Sequence, residues 1–269
     1  MLYGAALPVR ASPENTVFPR FPPFADTGLA AADRAPGAVP SVRHRRPLIG
    51  SDETMRVLAE AGVPESRMIG VAGGETIRLS DDVTVRVLPS QHSCVWSHQQ
   101  TTEPTTACIG DLGVTWHEQQ ERMRELQTYL STGLAPSAIE HLLSTMGGHS
   151  HRGDGGALLH EFETPDGRLL DQDTSGHWSG ILDGRRPDAA ILTAAGRANI
   201  DGQPVQGSLL QFLLDEVAVL QPQRVLLCHH DDWLPGFSVP TDMAPIRAAF
   251  DGLATELLEA DYLEPVRLL

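Results

Sequence analysis

The stretch Arg224-Val-Leu-Leu-Cys-His-His-Asp-Asp-Trp233 constrains this chain more than any other. Val225 to Cys228 holds neither a charge nor a turn former, the pattern of a strand buried on both faces. His229, His230, Asp231 and Asp232 follow at once, and Pro235-Gly236 breaks the chain beyond them. A buried strand has no packing use for four ionisable side chains at its end. Proteins of the α/β kind place their chemistry at the carboxyl edge of a sheet, so the cluster reads as a site presented there.

At 269 residues the chain is long enough for one large α/β domain or two small ones with an ample core. A net charge of −15 argues against nucleic acid and anionic membrane as partners, because polyanions are repelled. A small-molecule substrate is the expected partner, and self-association stays open. Cys94, Cys108 and Cys228 show no C-x-x-C spacing, so neither a disulfide framework nor a zinc ribbon is implied. No apolar run nears the roughly 18 residues that span a bilayer. The opening Met1 to Pro8 lacks a basic segment followed by an apolar one. A reducing, cytoplasmic setting is expected.

Residues 1–47 hold eight of the twenty prolines and no sustained period, which predicts an irregular Pro-rich segment. Order is expected from Leu48 to the C-terminus. A strand at Pro47 to Gly50 leads to Ser51, which caps a helix over Asp52 to Ala61 with Gly62 beyond it. Short strands are expected over Met68 to Val71 and Thr76 to Leu79, then an alternating strand over Val83 to Leu88. Helices over Trp116 to Leu130 and Pro136 to Thr145 precede a glycine-rich loop at Gly147 to Gly156. Ala157 to Glu163 and Arg168 to Asp171 form a hairpin across Pro165-Asp-Gly167. Asp188 to Thr193 is a buried strand, and Ser208-Leu-Leu-Gln211 is a capping box opening a helix to Leu220. A helix over Asp242 to Leu253 and a strand at Glu256 to Leu258 close the chain.

Three expected strands end in metal-ligand side chains: His92, Asp173 and His229. Histidine and carboxylate bind zinc, and mixed sets also suit manganese or iron. Taken singly, each is more often a satisfied polar residue or a cap. Their recurrence at three strand ends turns the balance toward a site. A metal there would bring the pKa of its water to about 7 and provide a nucleophile. Trp178 reads as pocket lining or plain core, and His98 and His117 as surface residues.

From Leu48 onward the chain resembles the metallo-β-lactamase superfamily, in particular its branch around L-ascorbate-6-phosphate lactonase and related metal-dependent hydrolases. Val87-Leu-Pro-Ser-Gln-His-Ser93 is similar to that branch's strand-then-His-Ser motif. Leu170-Asp-Gln-Asp-Thr-Ser-Gly176 is similar to its metal-bridging Gly-Asp-Thr-Gly segment, with Gln172 in place of a glycine. Arg185 to Ile191 resembles the buried strand that follows, and Cys228-His-His-Asp-Asp-Trp233 the closing His-x-Asp motif. The resemblance implies an α/β (α+β) fold, a four-layer αββα sandwich incomplete at its N-terminus, over residues 48–269. It implies His92 on one metal, His229 on the other and Asp173 bridging, with Asp173 and His229 catalytic. Asp231, His230 and His177 would form a second shell or pocket wall.

One departure qualifies this. The family's H-x-H-x-D-H signature, due upstream of the strand at Leu48, is absent, and the Pro-rich residues 1–47 stand in its place. His149-Ser-His151-Arg-Gly-Asp154 copies it superficially but has one residue too many and follows His92, so it reads as a pocket loop or a plain turn. Each metal is then left with two protein ligands where a catalytic zinc normally has three. The expected activity is hydrolysis of an ester, lactone or phosphodiester by metal-activated water. The rival is an inactive or truncated remnant of the same fold with a binding role only.

Overall fold

The computed structural model describes residues 47–93, 156–196, 198–201, 203–204, 208–231, 240–261 and 264–269, with single positions at 117, 121, 124, 128, 136 and 137. His149, His151 and the Pro-rich residues 1–46 lie outside the described residues.

Strand β1, Leu48–Gly50, pairs in parallel with β2, Met68–Gly70. Between them runs helix α1, Asp52–Glu60. It starts where expected because Ser51 Oγ accepts a hydrogen bond from Thr54 N at 3.3 Å, satisfying an orphan donor of the first turn. Gly62, at φ 81°, takes the left-handed turn that leads away.

The centre is a seven-stranded sheet in the order β12-β11-β8-β6-β5-β4-β3. In chain order these are β3 Thr76–Arg78, β4 Thr84–Pro89, β5 Leu158–Thr164, β6 Gly167–Gln172, β8 Ala189–Thr193, β11 Arg224–Cys228 and β12 Glu256–Leu258. Two small strands, β7 Gly176–His177 and β9 Asn199–Ile200, run parallel, and β10, Gln203–Pro204, adds to β9. The architecture is mixed α/β with one large mixed sheet. Strands β6, β8, β11 and β12 are parallel, whereas β5 is antiparallel to both β4 and β6. Two antiparallel steps bring β4 back into line with β6. The carboxyl ends of β4, β6, β8 and β11 therefore leave the sheet at one edge.

Apolar side chains fill both faces. Leu170, Ala190, Leu192, Val225 and Leu227 pack under helix α3, Leu209–Leu220, and helix α4, Ala244–Phe250. Leu169, Ala189 and Ile191 pack on the other face against Leu268. The all-buried pattern of Ala189–Thr193 follows from this double cover, as its unbroken apolar run predicts. A third cluster joins Val87 and Leu158 to Ile49 and Ile69 of the small parallel pair.

Helix α2 is a single turn, Ser179–Leu182. Half of the expected capping box at Ser208 forms: Ser208 Oγ accepts from Gln211 N at 3.2 Å, but the Gln211 amide donates to Asp215 Oδ1 at 2.8 Å instead of reaching back. Helix α3 ends at Gln221 in a left-handed conformation before Pro222. The last helix is shorter than the residues 242–253 expected. It stops at Phe250 because the chain must turn through Asp251-Gly252 to enter β12 alongside β11. His117, Glu121, Arg124 and Thr128 are helical and exposed, and His117 faces Glu121 at 3.3 Å, as their i, i+4 spacing allows. No helix among the described residues is long and apolar enough to cross a membrane.

Candidate functional site

The sheet register brings two of the expected residues together. Asp171 pairs with Ile191, and Ile191 pairs with Leu226, so Asp173 stands level with Thr193 and Cys228. His229 is the next residue. Its Nε2 lies 3.0 Å from Asp173 Oδ1, each side chain about a quarter exposed. His229 has φ 58°, a left-handed conformation that costs a β-carbon-bearing residue about 1–2 kcal/mol. Burial pulls the His229 imidazole down, but the hydrogen bond that Nε2 donates to Asp173 Oδ1, the Asp173 charge and that of Asp231 outweigh this and raise its pKa overall.

His92 arrives at the same edge by its main chain. Ser93 N donates to Thr174 Oγ1 at 3.0 Å, Ser90 Oγ donates to Gly176 O at 2.8 Å, and Asn199 Nδ2 donates to His92 O at 3.0 Å. Gly176 has to be glycine, since a Cβ there would run into the Gln91 carbonyl. The His92 ring itself turns to its own neighbour, with Nδ1 2.8 Å from Ser93 O. Three strand ends therefore meet, and Asp173 and His229 are in direct side-chain contact.

The ground beneath Asp173 is buried and holds titratable side chains, Asp171 and His160. Burial and the Asp173 charge push the Asp171 carboxyl up to about 7. Opposite it on β5, burial pulls the His160 imidazole down to about 4, against the pull of Asp173. Burial likewise drives the Cys228 thiol up, with both aspartates adding to it, so Cys228 stays a protonated core thiol beside Thr193.

His177 is buried away from this pair. Its Nδ1 lies 2.9 Å from Glu216 Oε1, and its ring stacks on Phe212 with centroids 5.7 Å apart. His230 lines a cavity of about 480 Å³ with Met243, Arg247, Leu258 and Glu259. Its buried Nδ1 has no partner among the described residues.

Oxygen and imidazole nitrogen donors suit a divalent ion. Two ligands of one tetrahedral zinc, with bonds near 2.0–2.1 Å, stand roughly 3.3 Å apart. The 3.0 Å between Asp173 and His229 is close to that spacing. The pair therefore fits two positions on one ion. No group of three or more His, Cys, Asp or Glu side chains able to hold a metal occurs among the described residues.

Sequence reasoning passed over Glu216, Asn199, His160 and the proton state of Asp171. Glu216 did leave a signal: it interrupts the apolar face of α3 formed by Phe212, Leu213, Val217 and Leu220. Asn199 left none, because its partners lie over 100 residues away in the chain. No protein-family model matches this chain, and no curated protein matches it.

Proposed function

We propose that this chain is a metal-dependent hydrolase of the metallo-β-lactamase type, acting on an ester, lactone or phosphodiester bond of a small molecule. Residues 48–269 would form most of an αββα sandwich, the β1–β2 pair belonging to its second sheet. The observation that carries the reading is the Asp173–His229 contact at the shared carboxyl edge of β6 and β11. Asp173 and His229 would hold the ion, zinc in the first place and manganese or iron otherwise. A bound divalent ion would supply Lewis acidity and bring water to a pKa of about 7.

The residues themselves prepare the site. Asp173 supplies the carboxylate, and Asp171 beneath it resists ionisation because it is buried next to the Asp173 charge. His229 must give up the proton it shares with Asp173 before Nε2 can act as a ligand, so binding releases a proton. Thr174 and Asn199 fix the backbone of His92 and Ser93 at the rim.

A second reading, a fold that binds without turnover, is favoured by the missing H-x-H-x-D-H signature, which leaves each ion two protein ligands where a catalytic zinc normally has three. Elemental analysis and zinc titration of the purified chain, with turnover of bis(p-nitrophenyl) phosphate and a simple lactone, decide between them. The hydrolase reading expects bound metal and turnover, both lost in Asp173→Ala and His229→Ala. Metal without turnover selects the binding reading, and no metal in the parent protein ends both metal roles.

A further inference from the structure

Glu216 is 1% exposed on a helix face otherwise made of Phe212, Leu213, Val217 and Leu220. A carboxyl in such a place costs stability unless it is bonded, so its contacts indicate what it holds. One contact is His177 Nδ1 at 2.9 Å, and Phe212, one helical turn earlier, stacks on the same ring. The other carboxyl oxygen, Oε2, has no hydrogen-bond partner among the described residues, although the Gln172 side chain is a neighbour. Gln172 Nε2 in turn donates to Gly176 O at 3.1 Å. Gln172 and His177 are the two ends of the turn that carries Asp173, Thr174 and Ser175.

We propose that Glu216 and His177 are positioning residues, a buried carboxyl–imidazole pair that holds the His177 end of the Asp173 turn against helix α3. The pair hydrogen-bonds to neither Asp173 nor His229 and acts through the backbone that runs from His177 back to Gly176. The carbonyl of Gly176, the residue before His177, accepts from both Gln172 Nε2 and Ser90 Oγ, so the held end of the turn also meets the strand end bearing His92. Burial raises the Glu216 carboxyl pKa against the pull of His177. The proposal rests on the reading of Asp173 as a metal-binding carboxylate only for its effect on affinity; the positioning itself has its own readout.

The test uses the full chain with Glu216→Leu, Glu216→Gln and, as a control on the same helix, Val217→Ala. Amide hydrogen exchange is read at Gly176 and Ser93, whose N–H groups bond to Thr174 O and Thr174 Oγ1. Zinc affinity is titrated separately. Glu216→Leu is expected to speed exchange at both amides beyond its global change and to weaken zinc roughly ten- to a hundredfold. Glu216→Gln, which keeps the acceptor for His177, should stay close to the parent. Val217→Ala should change exchange only in step with global stability. Should Glu216→Leu fail to fold, His177→Phe, which keeps the stack on Phe212, carries the same expectation. Local exchange no faster than in Val217→Ala, or Glu216→Gln behaving like Glu216→Leu, overturns the proposal. A parent chain that binds no zinc ends the metal reading, and the exchange data then decide positioning alone.

Discussion

His160 and Asp171 stand directly opposite each other on antiparallel strands β5 and β6, and burial holds both uncharged between about pH 4 and about 7. The Asp171 proton is held more tightly in the folded chain. Its share of stability is full below the ordinary value of 3.8 and drains away as pH rises to about 7. The His160 proton is held less tightly. Its share is full above 6.5 and is lost as pH falls toward about 4.

These slopes oppose each other, so the parent protein should show a flatter stability profile between pH 4 and 6.5 than either single variant. Asp171→Asn should expose the His160 slope, with stability rising with pH. His160→Phe should expose the Asp171 slope, with stability falling. Each slope should amount to roughly 3 kcal/mol across the window. Urea denaturation at three pH values measures this, and three parallel profiles would sink the assignment.

The left-handed backbone at His229 separates strain from side-chain loss. His229→Gly and His229→Ala both remove the ring from Asp173, but glycine adopts φ 58° without penalty. The glycine variant should be the more stable by about 1 kcal/mol, after its larger unfolded-state entropy is counted. Equal urea midpoints would mean that the residue relaxes once the ring is gone.

Gly176→Ala drives a methyl group into the Gln91 carbonyl. The expected cost is about 1–3 kcal/mol, as for other overpacked sites. Faster amide exchange at Ser93 should accompany it, because the Gln91 to Ser93 segment must move. A variant as stable as the parent would show that this approach is looser than it looks.

Two ion pairs provide a contrast in burial. Arg185 Nη1 lies 2.6 Å from Glu161 Oε2, and the Glu161 side chain is only 5% exposed. Arg185→Met leaves that carboxylate buried and unpaired, for an expected loss of about 3–5 kcal/mol, while Arg185→Met with Glu161→Leu should recover much of it. Arg247 and Glu259 are about half exposed, so Arg247→Ala should leave the thermal midpoint unchanged. Thermal denaturation of the three variants ranks them.

Local order was legible in the chain. Ser51 and Ser208 marked helix starts because capping is a contact three residues long, and Thr84 to Pro89 showed its alternation because a strand has period two. The strands ending just before His92, Asp173 and His229 could likewise be read off as apolar runs meeting polar residues. What no local pattern could state was that β4 returns parallel to β6 through β5, or that β11 lies beside β8 rather than β6. Those choices come from burying apolar surface between segments far apart in sequence, and they alone set Asp173 against His229. The same long-range packing turned Glu216 from an oddity on a helix face into the partner of His177. Side-chain types are written in the sequence; which of them share a hydrogen bond is decided by strand order and register.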